Sequence, residues 1–165
     1  PDDATRAHVA DGLVDLASVR DGAVALACSD AHFGPMNNLL LPGRALNMGG
    51  GWETRRSRNP NRDWIVVKLA ARGTPELVEV DTNHFRGNYP DRCLLEGIDA
   101  PDARITELLA SEAWAPIVPE TKLAAHTRHF LPRIAGVGRT CSHVRLVIVP
   151  DGGVSRLRVW GSRAT

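Results

Sequence analysis

Apolar and polar residues alternate with a period of two along most of this chain. The clearest stretch is Val154-Ser155-Arg156-Leu157-Arg158-Val159-Trp160, where Leu157 and Val159 fall on one face and Arg156 and Arg158 on the other, the pattern of a strand buried on one side. Short runs rich in β-branched or aromatic residues, separated by Gly, Pro, Asn or Asp, recur at 23–28, 64–69, 77–85, 92–98, 122–125, 128–134, 143–149 and 154–160. Each is read as a strand. Helical spacing is confined to two places: Val9, Leu13 and Leu16 predict an amphipathic helix over 5–19, ended by Asp21-Gly22, and a second short helix is predicted over 107–112. Eight strands with irregular connections and no βα alternation predict an all-β fold, an antiparallel β-sandwich with a short N-terminal helix.

At 165 residues the chain fits one domain, and a domain of this size buries roughly two-thirds of its unfolded surface. The expected division is an N-terminal helix and lead-in over 1–21 and a sandwich over 22–161, with no internal repeat. Apolar residues make up 43% of the chain, but none of their runs approaches the roughly 18 needed to cross a bilayer. A membrane span is not expected. The net charge of +1 and the dispersed basic residues argue against a nucleic-acid partner. Lys68 and Lys122 are the only lysines among 20 basic residues; the arginine excess suits carboxylate recognition and equally reflects coding bias. Cys28, Cys93 and Cys141 form no Cys-x-x-Cys pair, which argues against a disulfide framework and a thiolate zinc site and fits a reducing cytoplasm. No secretory pattern or peroxisomal ending is read, and a start at Pro1 rather than methionine raises the expectation of residues upstream.

Three segments concentrate ionisable and amide side chains between apolar flanks: Asn47-Met48-Gly49-Gly50-Gly51-Trp52-Glu53-Thr54-Arg55-Arg56, Asp81-Thr82-Asn83-His84-Phe85-Arg86-Gly87-Asn88-Tyr89-Pro90, and His143-Val144-Arg145-Leu146 running into Pro150-Asp151-Gly152-Gly153. In the first, a Gly-rich loop that lets backbone approach a ligand is followed by an acid and two guanidinia. Glu53 is a candidate acid or base, or the structural partner of a neighbouring arginine. Alternation across 78–84 places His84 on the inward face at a strand end, able to act as acid or base or to be satisfied by one carbonyl. Asn88 offers amide groups or shapes its loop, Arg145 is a carboxylate clamp or a sheet-surface charge, and Asp151 is weighted toward shaping a hairpin. His126 and His129 form a His-x-x-His pair that suits a metal only on a helical turn, whereas their context favours strand or loop.

Together, and in this order, the three segments resemble the repeat unit of the allantoicase family. That resemblance spans about 29–161 and implies a jelly roll similar to galactose-binding domains. It also implies a hydrolase that releases urea from allantoate to give ureidoglycolate in purine degradation. Allantoate carries a carboxylate and two ureido groups on one carbon, so its enzyme must clamp a carboxylate, bind urea-like groups and move protons. For that chemistry the three segments offer Glu53, His84 and Asp81 as catalytic candidates and Trp52, Arg55, Arg56, Asn88 and Arg145 as substrate-binding candidates, with Arg55 or Arg56 able to clamp the carboxylate. The resemblance implies no cofactor, leaves a divalent metal open, and implies association with a sister repeat or another copy. Gly50 stands where the family usually has aspartate and Val147 where it usually has asparagine. The alternative is therefore a noncatalytic jelly-roll half that binds a ligand or serves as structure.

Overall fold

The computed structural model describes residues 2–57 and 62–165. In chain order its strands are β1 (Val14–Asp15), β2 (Val24–Cys28), β3 (Trp52–Glu53), β4 (Asp63–Asp81), β5 (Arg92–Ile98), β6 (Ala115–Lys122), β7 (Arg128–Pro132), β8 (Cys141–Val149), β9 (Gly153–Val154) and β10 (Arg156–Arg163), with helices α1 (Asp3–His8) and α2 (Ile105–Ala110). The 19-residue β4 joins the two layers, where alternation predicted two strands, over 64–69 and 77–85. Its first half pairs with β2 and β8, Ile65 lying opposite Cys28 and Leu146. Its second half pairs with β10 and β7, Val78 lying opposite Val159 and Leu131. The ladders shift register between Lys68 and Gly73, and between Trp160 and Gly161, where Pro75 faces Gly161. Proline has no N–H for a ladder, so it sits at such an irregularity.

One layer therefore runs β2-β4-β8-β5-β6 and the other β1-β10-β4-β7, all antiparallel. The antiparallel sandwich expected from the strand pattern is the architecture observed, in keeping with the jelly roll that the resemblance implies. Ile65, Val67, Leu146 and Ile148 from the first layer meet Val78, Val80, Leu157 and Val159 from the second in one buried core. Each such side chain contributes roughly 1.5–3 kcal/mol on burial, whereas an exposed ion pair contributes about 0–1 kcal/mol. The shared core holds the layers together. Outside the first layer, α2 covers Val66 and Ile98 through Leu108.

Four predicted elements shift, each for a physical reason. The helix over 5–19 shortens to α1, capped by Asp2, whose carboxylate accepts the Thr5 N–H at 2.9 Å. Gly12, with φ of 88°, turns the chain, and Val14–Asp15 joins the sheet against Trp160 and Gly161. The helix over 107–112 is α2, two residues earlier. The strand expected at 122–125 lies earlier, as β6, which ends at Lys122 and contains Pro116 and Pro119; among the described strands β6 pairs only with β5, and an edge strand tolerates proline. The strand expected to run to Phe85 stops at Asp81 because the Asp81 carboxylate accepts the Asn83 N–H at 2.9 Å, a local turn that replaces the ladder.

Candidate active site

The end of the sandwich is built around Phe85. Its ring, fully buried, fills the space that a side chain would need at Gly51 and at Gly153, where an added Cβ would lie 3.1 and 1.9 Å from ring carbons. The Gly-rich loop and the Gly152-Gly153 turn therefore close over one aromatic plug, and Trp52–Glu53 pairs with Gly153–Val154. The Gly153 N–H donates to the Asn88 carbonyl at 2.8 Å, which ties the third loop to the second. Thr54, 2% exposed, fixes the remaining side: its Oγ accepts the Gly152 N–H at 3.0 Å while its own N–H donates to the Gly152 carbonyl at 3.0 Å.

These ties leave an open cavity of about 500 Å³ lined by Glu53, Thr54, Arg56, Asn88, Tyr89 and Asp151, with Phe33 at its edge. Three segments separated by up to about a hundred residues thus share one hollow. The Asn88 side-chain amide donates to the Glu53 carboxylate, which fixes the direction of both. The Asp151 carboxylate accepts the Ser57 N–H at 2.7 Å, so this residue positions the first loop as well as its own turn. Arg56 is exposed and has no hydrogen bond or ion pair among the described residues. The hollow therefore offers the carboxylates of Glu53 and Asp151, with a third, Asp91, already paired with Arg92 and Lys122, and an oriented amide and one uncommitted guanidinium: groups that can hold an anion, accept N–H bonds and transfer a proton.

The other sequence-predicted residues lie elsewhere. Trp52 is completely buried, its indole N–H donating to the Asp30 carbonyl at 2.8 Å; it supports the loop from below and is not a contact surface. Arg55 points to the adjoining hollow, where its backbone N–H donates to the Asp30 carboxylate at 2.7 Å and its guanidinium to His32 Nδ1 at 3.2 Å. Asp81, 0% exposed, is held bidentately by Arg44 at 3.1–3.2 Å and lines a different cavity. His84 leaves the strand in a left-handed turn, φ 73°, with its Nε2 2.8 Å from the Ala45 carbonyl. The inward face inferred from alternation ends two residues before it, and the ring does not line the hollow of Glu53. Arg145 pairs with Glu96 at 2.9 Å and stacks over Trp114 on the outer face of the first layer, away from the loops.

The His-x-x-His pair is also accounted for. His129 uses both ring nitrogens, with Nδ1 2.9 Å from the Val80 carbonyl and Nε2 accepting the Ala124 N–H at 2.9 Å. His126, φ 48°, accepts the His84 N–H on Nδ1 at 2.8 Å. Among the described residues no group of three or more His, Cys, Asp or Glu is arranged to hold a metal ion. Sequence reasoning missed Asp30, whose carbonyl and carboxylate both brace the first loop, and Thr54. Each is a lone polar residue whose partner lies across the fold, so no spacing marks it. An aspartate at Gly50 would need Ala45 to move, since an added Cβ would sit 2.9 Å from the Ala45 methyl.

Comparison with known proteins gives the site a context. The model of the allantoicase repeat matches residues 14–164. A probable allantoicase from Schizosaccharomyces pombe is 47% identical over 156 residues, covering 93% of this chain and 44% of that protein. A crystal structure of allantoicase from Saccharomyces cerevisiae, 42% identical, superposes with a TM-score of 0.78 over 93% of this chain and 45% of that one. The chain spans about half the length of these relatives. A fucolectin from striped bass serum, 18% identical, superposes with a TM-score of 0.65 over 94% of this chain and 49% of that one, a likeness of fold alone.

Proposed function

This chain belongs to the allantoicase family, and from that premise we propose that it releases urea from allantoate to leave ureidoglycolate, with the hollow of Glu53, Asn88 and Arg56 as the place of reaction. The observation that carries the reading is the convergence of these three side chains, with Asp151, from segments far apart in sequence. Arg56 is the free fork for the substrate carboxylate, and two charge-assisted bonds from one planar group fix its orientation. Glu53 and Asn88 together present an acceptor and an amide to a ureido group. In the reaction, water forms a C–O bond to the carbon bearing the carboxylate, the C–N bond to one ureido group breaks, and the proton lost by water reaches the departing nitrogen. Glu53 carries that proton, a role worth about 10²–10⁴-fold in rate.

His84 and Asp81 remain proposals of a different kind, as residues that shape the second loop. His84 binds the Ala45 carbonyl and Asp81 anchors the start of the turn leading to Asn88. Three free cysteines support a reducing, cytoplasmic setting, and no helix among the described residues is long and apolar enough to cross a membrane. Because the relatives are about twice as long, we propose that the working enzyme pairs this unit with a sister repeat or another copy. Gly50 favours a second reading, a noncatalytic half, since the family usually has an aspartate there. A coupled urea assay with allantoate separates the two: release above background supports catalysis, and none, in a folded protein that still binds allantoate, assigns the chain to the noncatalytic reading.

A further inference from the structure

A second cavity, of about 320 Å³, lies on the face of β10 turned away from the shared core, beside α1. Four arginines line it, Arg44, Arg128, Arg156 and Arg158, against three acids, Asp2, Glu79 and Asp81. The acids are already engaged. Arg44 holds Asp81 at 3.1 Å, and Arg128 holds Glu79 at 3.1 Å and Asp2 at 2.7 Å. Arg156 and Arg158 form no ion pair among the described residues and donate only to backbone carbonyls, Arg156 to Gly50 at 2.6 Å, Ser155 at 2.7 Å and Gly43 and Asn38 at 3.0 Å each, Arg158 to Gly43 at 2.9 Å and Leu40 at 3.4 Å, so their charges have no carboxylate against them. Arg156 is 4% exposed. Burial and the neighbouring Arg158 charge both loosen its hold on its proton, and Asp81 opposes them only in part. Trp160 also lines this cavity, and its buried indole N–H has no acceptor among the described residues.

Two guanidinia without a counter-ion and an orphaned donor, gathered around one hollow, need an acceptor bearing negative charge. We propose that this cavity binds a small oxyanion, a carboxylate or a phosphate group, between Arg156 and Arg158 and within reach of the Trp160 N–H. The site is independent of the hollow of Glu53, and no line of the allantoate reading rests on it. Its concave form and its volume, room for several water molecules of about 30 Å³ each, favour a free ion over the acidic side chain of a second copy. The lining carries one positive charge in excess, which suits a single anionic group.

The test uses the four tryptophans, Trp52, Trp64, Trp114 and Trp160. The ¹⁵N-labelled indole signals are followed while inorganic phosphate or, separately, acetate is added at constant ionic strength. The Trp160 signal, assigned through Trp160→Phe, is expected to move saturably while the other three stay. The anion that moves it identifies the source. Arg158→Gln is expected to weaken the response by about tenfold or more, the loss of one charge-assisted contact of about 1.4 kcal/mol. Should that variant not fold, Arg158→Lys, which keeps the charge and loses the fork, is expected to weaken it less. No saturable shift, an equal shift in sodium chloride, or a response that Arg158 substitution leaves unchanged overturns the proposal. So does a Trp160 shift produced by protein concentration alone, which would assign the site to a second copy.

Discussion

Replacing Thr54 with valine removes one hydroxyl from the join between the first and third loops and changes little else in shape. In the native protein that hydroxyl accepts the Gly152 N–H at 3.0 Å and lies 3.4 Å from the Gly152 carbonyl, with Thr54 only 2% exposed. The valine variant leaves a buried N–H with no acceptor, a cost of about 1–3 kcal/mol. For a domain of this length each kcal/mol lowers the melting temperature by about 2–4 °C, so a fall of about 2–12 °C is expected by calorimetry. A matching fall is expected in guanidinium unfolding. Thr54→Ser keeps the hydroxyl and loses one methyl, about 0.8 kcal/mol. The two variants are expected to part in activity as well, because Asp151 precedes Gly152 and depends on that anchor: serine keeps most of the urea release, valine loses much of it. A valine variant within about 0.5 kcal/mol of the native protein, the range of an inconsequential surface change, would refute the account of how these loops are joined.

Three further outcomes are expected. Arg56→Lys leaves stability unchanged, since Arg56 has no partner among the described residues, and raises KM for allantoate with little change in kcat, because an ammonium cannot form the planar fork; kinetics and a melting curve check both. Burial pushes the imidazole of His143, 1% exposed, below its ordinary value of 6.5, helped by Lys68 and opposed by Asp99. The unfolded state then binds more protons, so stability is full above about pH 6.5 and is lost as pH falls below it; unfolding midpoints at successive pH values should show a decline that His143→Gln flattens. Sedimentation at micromolar concentration is expected to show self-association of this half-length chain, and a monomer alone would count against the proposed pairing.

Much of the fold was legible because it rests on period-two burial. Leu157 and Val159 face the core and Arg156 and Arg158 the other side, as alternation predicts, and β5 occupies the predicted 92–98. Alternation fails where a side chain captures the backbone: Asp81 bonds the Asn83 amide and the chain turns, so His84 does not continue the inward face. It also fails at β6, where proline is harmless because the strand is an edge. At the site, motif order drew attention to Glu53, Arg56 and Asn88, and the structure places the three around one hollow. It could not separate Arg56, which lines both hollows, from Arg55, which lines only the adjoining one, nor Trp52 as a support from Trp52 as a surface. Asp151 was undervalued because its turn explains it locally, while its bond to the Ser57 amide crosses the fold.

The most direct test of the central claim is the steady-state rate of urea release from allantoate by Glu53→Gln beside the native protein. Glutamine retains an oxygen to accept the Asn88 amide, so the loops and the binding hollow stay in place while the carboxylate is lost. The account predicts a kcat about 10²–10⁴-fold lower with KM nearly unchanged, the mark of a group that acts in the transition state. A Glu53→Gln protein that turns over allantoate at the native rate would contradict it.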